Sequence, residues 1–454
     1  MIDARGQVLV DRRQVGVQGP EGSGFHAAIA ANNGPEVMLS GLADKKIFYG
    51  WWMVGAATGL QFLQAGLVTQ AFGAYLAVLA DEQGWSKTAL SGAAALQQME
   101  VALLGPVLGW LIDRFGPKAF VRAGVVVFGT GLCLLSQVQS LPAFYGAFIV
   151  IALGSSLCGF FPLNVALIHW FERKRARALS AMSIGLAFGG IMVPLVAQSL
   201  TTFGWRATAL ASGLAAIAVG LPLAMVIRNS PRDHGEVVDG MPTELSPTNI
   251  SVEKADSTRD FTAREALRTQ AFWLISLGHG FALFVVHAVS VHAITHLKEG
   301  LGYSVAAASL VISLVTTCQI GGVLLGWAIG DRYKKRLIAA ACMLAHATAL
   351  LLLTYAISLP MVIAFAVLHG TAWGLRGPMM QAMRADYFGR SSIGMILGLS
   401  FMIIVVGQVG GPIIPGVFAD ITGDYRVGFT ILALLAGLGS GFFLLARKPK
   451  RPNL

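Results

Sequence analysis

Gly109-Trp110-Leu111-Ile112-Asp113-Arg114-Phe115-Gly116-Pro117-Lys118 decides how the rest of this chain is read. The segment closes an apolar stretch with an acid, a base and a Gly-Pro turn. Gly109 lets a second helix approach closely. Asp113 can accept hydrogen bonds from helix N-terminal amides or from a basic partner. Arg114 and Lys118 can hold the loop at an anionic lipid surface. A charged loop alone would explain the charges but not Gly109 and Gly116. The segment therefore reads as a conformational latch at a membrane face. A weaker copy, Gly326-Trp327-Ala328-Ile329-Gly330-Asp331-Arg332, recurs in the second half. It has one extra residue and lacks the later glycine, and it adds Asp331 and Arg332 to the latch.

Composition agrees with a membrane setting. The chain has 454 residues, 55% of them hydrophobic and only 12% charged. Soluble proteins carry about 25% charged residues. Mean hydropathy is +0.67. These values exclude an ordinary soluble enzyme, a disordered protein and a nucleic-acid binder. The net charge of +10 must then be explained by where the basic residues sit. Cys133, Cys158, Cys318 and Cys342 lie in apolar stretches without short spacing, so they read as small hydrophobes.

A spanning helix needs about 20 mostly apolar residues. Twelve stretches qualify: 50–80, 86–112, 119–138, 142–169, 176–203 and 206–227, then 270–297, 303–330, 336–357, 361–387, 391–419 and 427–446. The chain is thus expected to be an all-α membrane protein, with six-helix bundles over 45–227 and 270–446. The polar stretch 228–269, with Pro231, Pro242 and Pro247, reads as a cytoplasmic linker. A short amphipathic helix is expected near Phe261–Leu267. Residues 1–44 read as a disordered cytoplasmic tail, or as the product of a start codon placed too early; 447–454 form a second tail.

The basic residues test this layout. Of the 33, 28 fall on the side that holds both tails and the linker. The opposite loops hold Lys87, Arg206, Lys298 and Arg426, and Arg376 remains inside a helix. The positive-inside rule therefore puts both termini in the cytoplasm of a cell whose inner (plasma) membrane holds the chain.

The 109–118 segment resembles the G-x-L-x-D-R-x-G-R-K signature of the major facilitator superfamily. Further similarity lies in Trp170-Phe171-Glu172-Arg173-Lys174-Arg175 before Gly185-xxx-Gly189-Gly190, and in Gly204-Trp205-Arg206. Asp386-Tyr387-Phe388-Gly389-Arg390 before Gly394-xxx-Gly398, Gly410-Gly411-Pro412 and Asp420–Tyr425 extend it. Over residues 45–446 these look like the bacterial monocarboxylate and oxalate/formate antiporter branch. The resemblance implies two pseudo-symmetric halves and alternating access, with the first, fourth, seventh and tenth helices around a central cavity. There are departures. Phe48-Tyr49-Gly50-Trp51-Trp52 lacks the branch's acid, and Val311–Trp327 lacks its Asp and Arg pair. The oxalate exchanger's basic residues in the eighth and eleventh helices are also missing, which favours a monoanion over a dianion.

A charge at mid-membrane costs about 2.5–3.5 kcal/mol on insertion scales, so it marks function. Arg376 reads as the only deep cation. Its guanidinium can hold a carboxylate bidentately and stays charged. His369, Trp373, Met380 and Met383 share its helix face, and Pro378 is expected to break the helix. The bland alternative is an Arg paired to Glu100 or to carbonyls. Glu100 reads as the only deep acid; its desolvated carboxyl suits proton carriage, against a permanent polar pairing. His287 is the second proton candidate, against ordinary hydrogen bonding. Asn164, Gln61 and Gln64 are cavity donors by position, whereas Gln319 and Gln408 read equally well as helix-joining groups. His292 and His296 have metal-ligand spacing but approach the external end, so no metal is expected. Walker, HExxH and GxSxG motifs are absent, so no enzyme, ATP-driven pump or cofactor is expected.

The sequence thus predicts a secondary transporter of a small organic anion, a monocarboxylate, coupled to a proton. Proton-antiport efflux of hydrophobic compounds is the alternative, although its G-x-x-x-G-P-x-x-G-G signature is unmatched. A non-transporting receptor would lack an external ligand domain.

Overall fold

The computed structural model describes residues 47–85, 87–240 and 259–452. The expected 1–44 tail and the middle of the linker lie outside them. Among the described residues every regular element is helical. The first crossing is α1, Tyr49–Gln64, a π-helical turn Ala65–Thr69, and α2, Phe72–Gln83. The second and third are α3, Lys87–Phe115, and α4, Pro117–Leu135. The fourth is split into α5, Leu141–Cys158, and α6, Phe160–Trp170. α7, Arg175–Gly189, runs through a 3-10 turn into α8, Val193–Val226.

Among the described residues nine stretches have the length and hydropathy to span a membrane, and one of them is Arg175–Val226, 52 residues long. That is two crossings, because Gly204 breaks it at φ 78 and ψ 161. An L side chain is strained at that φ, so glycine sets the hairpin between the fifth and sixth spans. The first span escapes a continuous-helix criterion because the π turn divides it. The second carries several polar and charged groups.

After the linker come α9, Ala263–Leu267, and then six spans. These are α10, Gln270–Leu301; α11, Val305–Ile329; α12, Lys335–Thr354; α13, Leu359–Phe388; α14, Ile393–Thr422; and α15, Arg426–Leu445. Thr262 and Glu265 cap α9 reciprocally, which explains why so short a helix forms there. Pro378 does not break α13, contrary to expectation; the helix runs through it. Leu375, Arg376, Met379 and Met380 around it are buried, and that tertiary packing offsets the missing backbone bond.

The two bundles meet along two helix pairs related by pseudo-symmetry: α3 against α14, and α7 against α11. In the first pair the backbones touch. A Cβ added at Gly109 would fall onto the Gly394 carbonyl, and one at Gly398 onto the Gly105 carbonyl. Aliphatic side chains such as Leu103, Leu195, Leu310 and Val406 point outward around the belt, as lipid contact requires.

Candidate functional site

The linker face is held shut by acids on amides. Asp113 accepts from Gly394 N at 2.7 Å and Met395 N at 2.8 Å, at the start of α14. Asp331 accepts from Ala176 N at 2.8 Å and Arg177 N at 3.0 Å, at the start of α7. Each acid thus caps a helix of the opposite bundle, where the helix dipole favours negative charge. The linker adds a second acid at each place. Asp239, itself at φ 61, takes the amides of Glu172, Arg173 and Lys174. Asp260 takes those of Arg390 and Ser391.

Ion pairs close the same face: Asp386 with Arg175, Asp386 with Lys335 at 2.8 Å, and Arg390 with Glu172 at 3.4 Å. The other expected latch residues sit outside this seal. Arg114 lies over Trp110 and Phe115, and Arg332 is exposed. Gly116 and Lys118 pack on Asn229, with Lys118 N donating to Asn229 Oδ1 at 2.9 Å.

A cavity of about 190 Å³ opens deeper, against the first bundle. Gln64, Thr69, Gln97, Ser155, Ser156, Phe160 and Phe161 line it, with Phe401 from α14. Two interrupted spans create its polar wall. Gly159 is extended, at φ −90 and ψ −152, and splits the fourth crossing. Gln64 Nε2 donates to Ser155 O at 3.0 Å, just before that split and next to the π turn. Irregular backbone at membrane depth is tolerated where it lines a cavity. Glu100 accepts from Ser156 Oγ at 2.8 Å with Oε2, while its buried Oε1 has no partner among the described residues. Asn164 Nδ2 donates to Phe160 O at 2.5 Å, and Gln61 Nε2 is buried without a partner among the described residues.

Arg376 lies elsewhere. It is 1% exposed, inside the second bundle, and does not line the cavity. Its Nε and Nη1 have no hydrogen-bond partner among the described residues, and it forms no ion pair with Glu100. Trp373 packs with Phe401 on Leu283, Val286 and Ile404, and the Phe401 ring sits 5.8 Å from that of Phe161. Phe401 thus joins the cavity wall to the packing around Trp373, three residues before Arg376 on α13. His369 Nδ1 meets His346 Nδ1 at 3.2 Å, both rings fully buried. His287 spends Nδ1 on Leu283 O at 3.1 Å. His292 and His296 contact the carbonyls of Pro412 and Leu353.

Arg376 is not the only buried cation on its helix. Arg384 is also 1% exposed within α13. Its Nη1 donates to Met380 O at 3.2 Å, its Nη2 lies 3.3 Å from His279 Nδ1, and its Nε has no partner among the described residues. Counting it as a loop charge hid it. The available signal was its position eight residues after Arg376, which returns to about 80° of the same helix face.

The helix order, the paired acid-capped crossings and the motif agree with one profile, that of the Major Facilitator Superfamily, which matches residues 58–295 and 276–454. The chain belongs to the Major Facilitator Superfamily. It is a multi-pass membrane transporter, not an enzyme. Monocarboxylate transporter 13 of Bos taurus is 23% identical over 405 residues, covering 87% of this chain and 89% of that one. The glycerol-3-phosphate transporter of Bacillus subtilis is 24% identical over 269 residues, covering 56% and 59%. In fold, the chain is similar to the proton:xylose symporter XylE bound to 6-bromo-6-deoxy-D-glucose. The TM-score is 0.70 at 16% identity, over 89% of this chain and 98% of that one. These relatives share the superfamily fold across different cargoes.

Proposed function

We propose that this superfamily member carries a small organic anion, bound through a carboxylate by Arg376, together with a proton held at Glu100. The observation that carries the reading is the Arg376 guanidinium, buried with two unanswered donors and no carboxylate in ion-pair range among the described residues. An uncompensated buried charge costs about 3–5 kcal/mol, and an anionic ligand would offset it. Trp373 and the buried Met380 and Met383 offer an apolar wall for the ligand's body. His369 stands one turn from Trp373 on the same face, and Gln61, Gln64 and Asn164 supply donors from the first bundle. The likeness to a monocarboxylate transporter supports a monocarboxylate as the first class to test. The acid-capped face would be cytoplasmic, since most basic residues lie there.

Uptake of labelled organic acids into proteoliposomes tests the reading. Arg376→Ala should abolish uptake; wild-type rates across the acids tried would overturn it. Glu100→Gln should leave exchange intact and remove accumulation driven by a pH gradient. A second reading, proton-antiport efflux of hydrophobic compounds, is favoured by the aromatic cavity wall beside Glu100. It predicts that lipophilic compounds, and not organic acids, raise the melting temperature of the purified protein.

A further inference from the structure

Arg376 and Arg384 form one cationic core with no acid in it among the described residues. Both are 1% exposed on α13, and each keeps at least one N–H without a partner among the described residues. They lie within electrostatic reach of each other. Two helical turns separate them, about 12 Å along the axis at the Cα atoms, a span two extended arginine side chains can close. The groups facing them from neighbouring helices are uncharged or basic in kind: His279 and His287 on α10, Cys342 and His346 on α12, and His369 on α13 itself. The next acid along α13, Asp386, is committed to Arg175 and Lys335. Gln381 adds a buried amide whose Oε1 is also unpartnered.

Charge balance then says something about the ligand. One carboxylate would satisfy one guanidinium and leave the other buried and uncompensated. We propose that Arg384, oriented by His279, is a second anion-coordinating residue of the Arg376 site, so that the site is built for a ligand carrying two negative charges. This assignment rests on the anion reading above. It reverses the preference for a monoanion, which rests on the basic residues missing in the eighth and eleventh helices and takes no account of Arg384 in the tenth. Met380 and Met383 lie between Arg376 and Arg384 along α13, and their flexible thioethers can adapt to a short carbon chain. Two carboxylates joined by such a chain, or a phosphate monoester, supply the required charge.

The experiment compares ligands of matched length on the purified full chain: butyrate against succinate, valerate against glutarate, with glycerol phosphate as the phosphoryl arm. Affinity is read by thermal shift and by competition for uptake in proteoliposomes. The wild type should bind the two-charge member about ten- to hundred-fold more tightly, the worth of one charge-assisted hydrogen-bonded contact. Tighter binding of glycerol phosphate than of either dicarboxylate would support the proposal and identify the phosphoryl form. Arg384→Gln should erase the preference and leave butyrate affinity nearly unchanged. Arg384→Lys should keep part of it, and His279→Gln should reduce it less.

A wild type that binds butyrate as well as succinate would overturn the proposal and leave the anion reading standing. Equal weakening of both ligands by Arg384→Gln would overturn it too. Binding of no organic anion at all would sink both. The wild-type series and His279→Gln keep the test decisive if the Arg384 variants fail to fold.

Discussion

The linker face and the core of the second bundle treat buried N–H donors in opposite ways. At the linker face, donors at the starts of α7 and α14 are answered by carboxylates of the protein itself, one from the opposite bundle and one from the linker. In the core, the guanidinium donors of Arg376 and Arg384 are left partly unanswered. Donors answered from within fix a shape. Donors left open create a demand that only something brought from outside can meet. On the proposed reading, the contrast separates groups that close the transporter from groups that would select its cargo, although both are buried and polar.

The comparison can be broken most forcefully at the contact between bundles. Gly109→Val would drive a side chain into the Gly394 backbone, which cannot yield. Overpacking of this kind costs about 1–3 kcal/mol, so the closed linker face should be depopulated by about ten-fold or more. Cysteine labelling from the linker side should then rise and transport should fall. Unchanged labelling would mean that this face is not the gate. A sharper test gives the core its own acid. Cys342 is buried within reach of Arg376. Cys342→Asp should turn an open guanidinium into a paired one. Tm without ligand should rise by several degrees, and the response to organic anions should vanish. A variant that still responds fully would show that Arg376 was never the open group.

The smallest effect concerns the linker. Burial pushes the Asp260 carboxyl up, but the Arg390 and Ser391 amides, the Ser391 hydroxyl and the Arg451 charge outweigh it and hold the group below the ordinary range. A lowered folded value means its stabilisation is complete above the unfolded value, about 3.9. It is then lost as pH falls through the lower folded one. The side chain is 21% exposed at the surface, and solvent screening keeps the contribution under about 1 kcal/mol. Hydrogen exchange at Arg390 and Ser391 should stay slow at neutral pH and accelerate only in strong acid. In Asp260→Asn that acid step should disappear.

Much of the architecture was legible because it follows from local rules. Apolar length set the spans, and the glycine-and-acid segment at 109–118 announced a close crossing with a capped helix end. Asp113 and Asp331 do cap helix starts, and only the partner helices were hidden, since they lie far off in sequence. Arg384 was lost for a physical reason. Near the end of a span, sequence cannot tell whether a basic side chain reaches outward to water or folds inward against a histidine of another helix. Pro378 misled in the opposite sense, because packing carried α13 through it. The interruptions at 65–69 and Gly159 were not legible either. A π turn has no residue signature of its own, and Gly159 stands among many glycines that serve only packing.

The π-helical turn Ala65–Thr69 has one more consequence. A wider turn accommodates an extra residue without disturbing what precedes it. It therefore lets the two halves of the first span keep their phase despite the extra residue. Deleting that residue would restore a regular helix with Tyr75 and Leu79 still in the core, but would remove the widened turn beside the Gln64 contact with Ser155. The chemistry of the cavity wall can thus change while the packing of the outer half stays as it is.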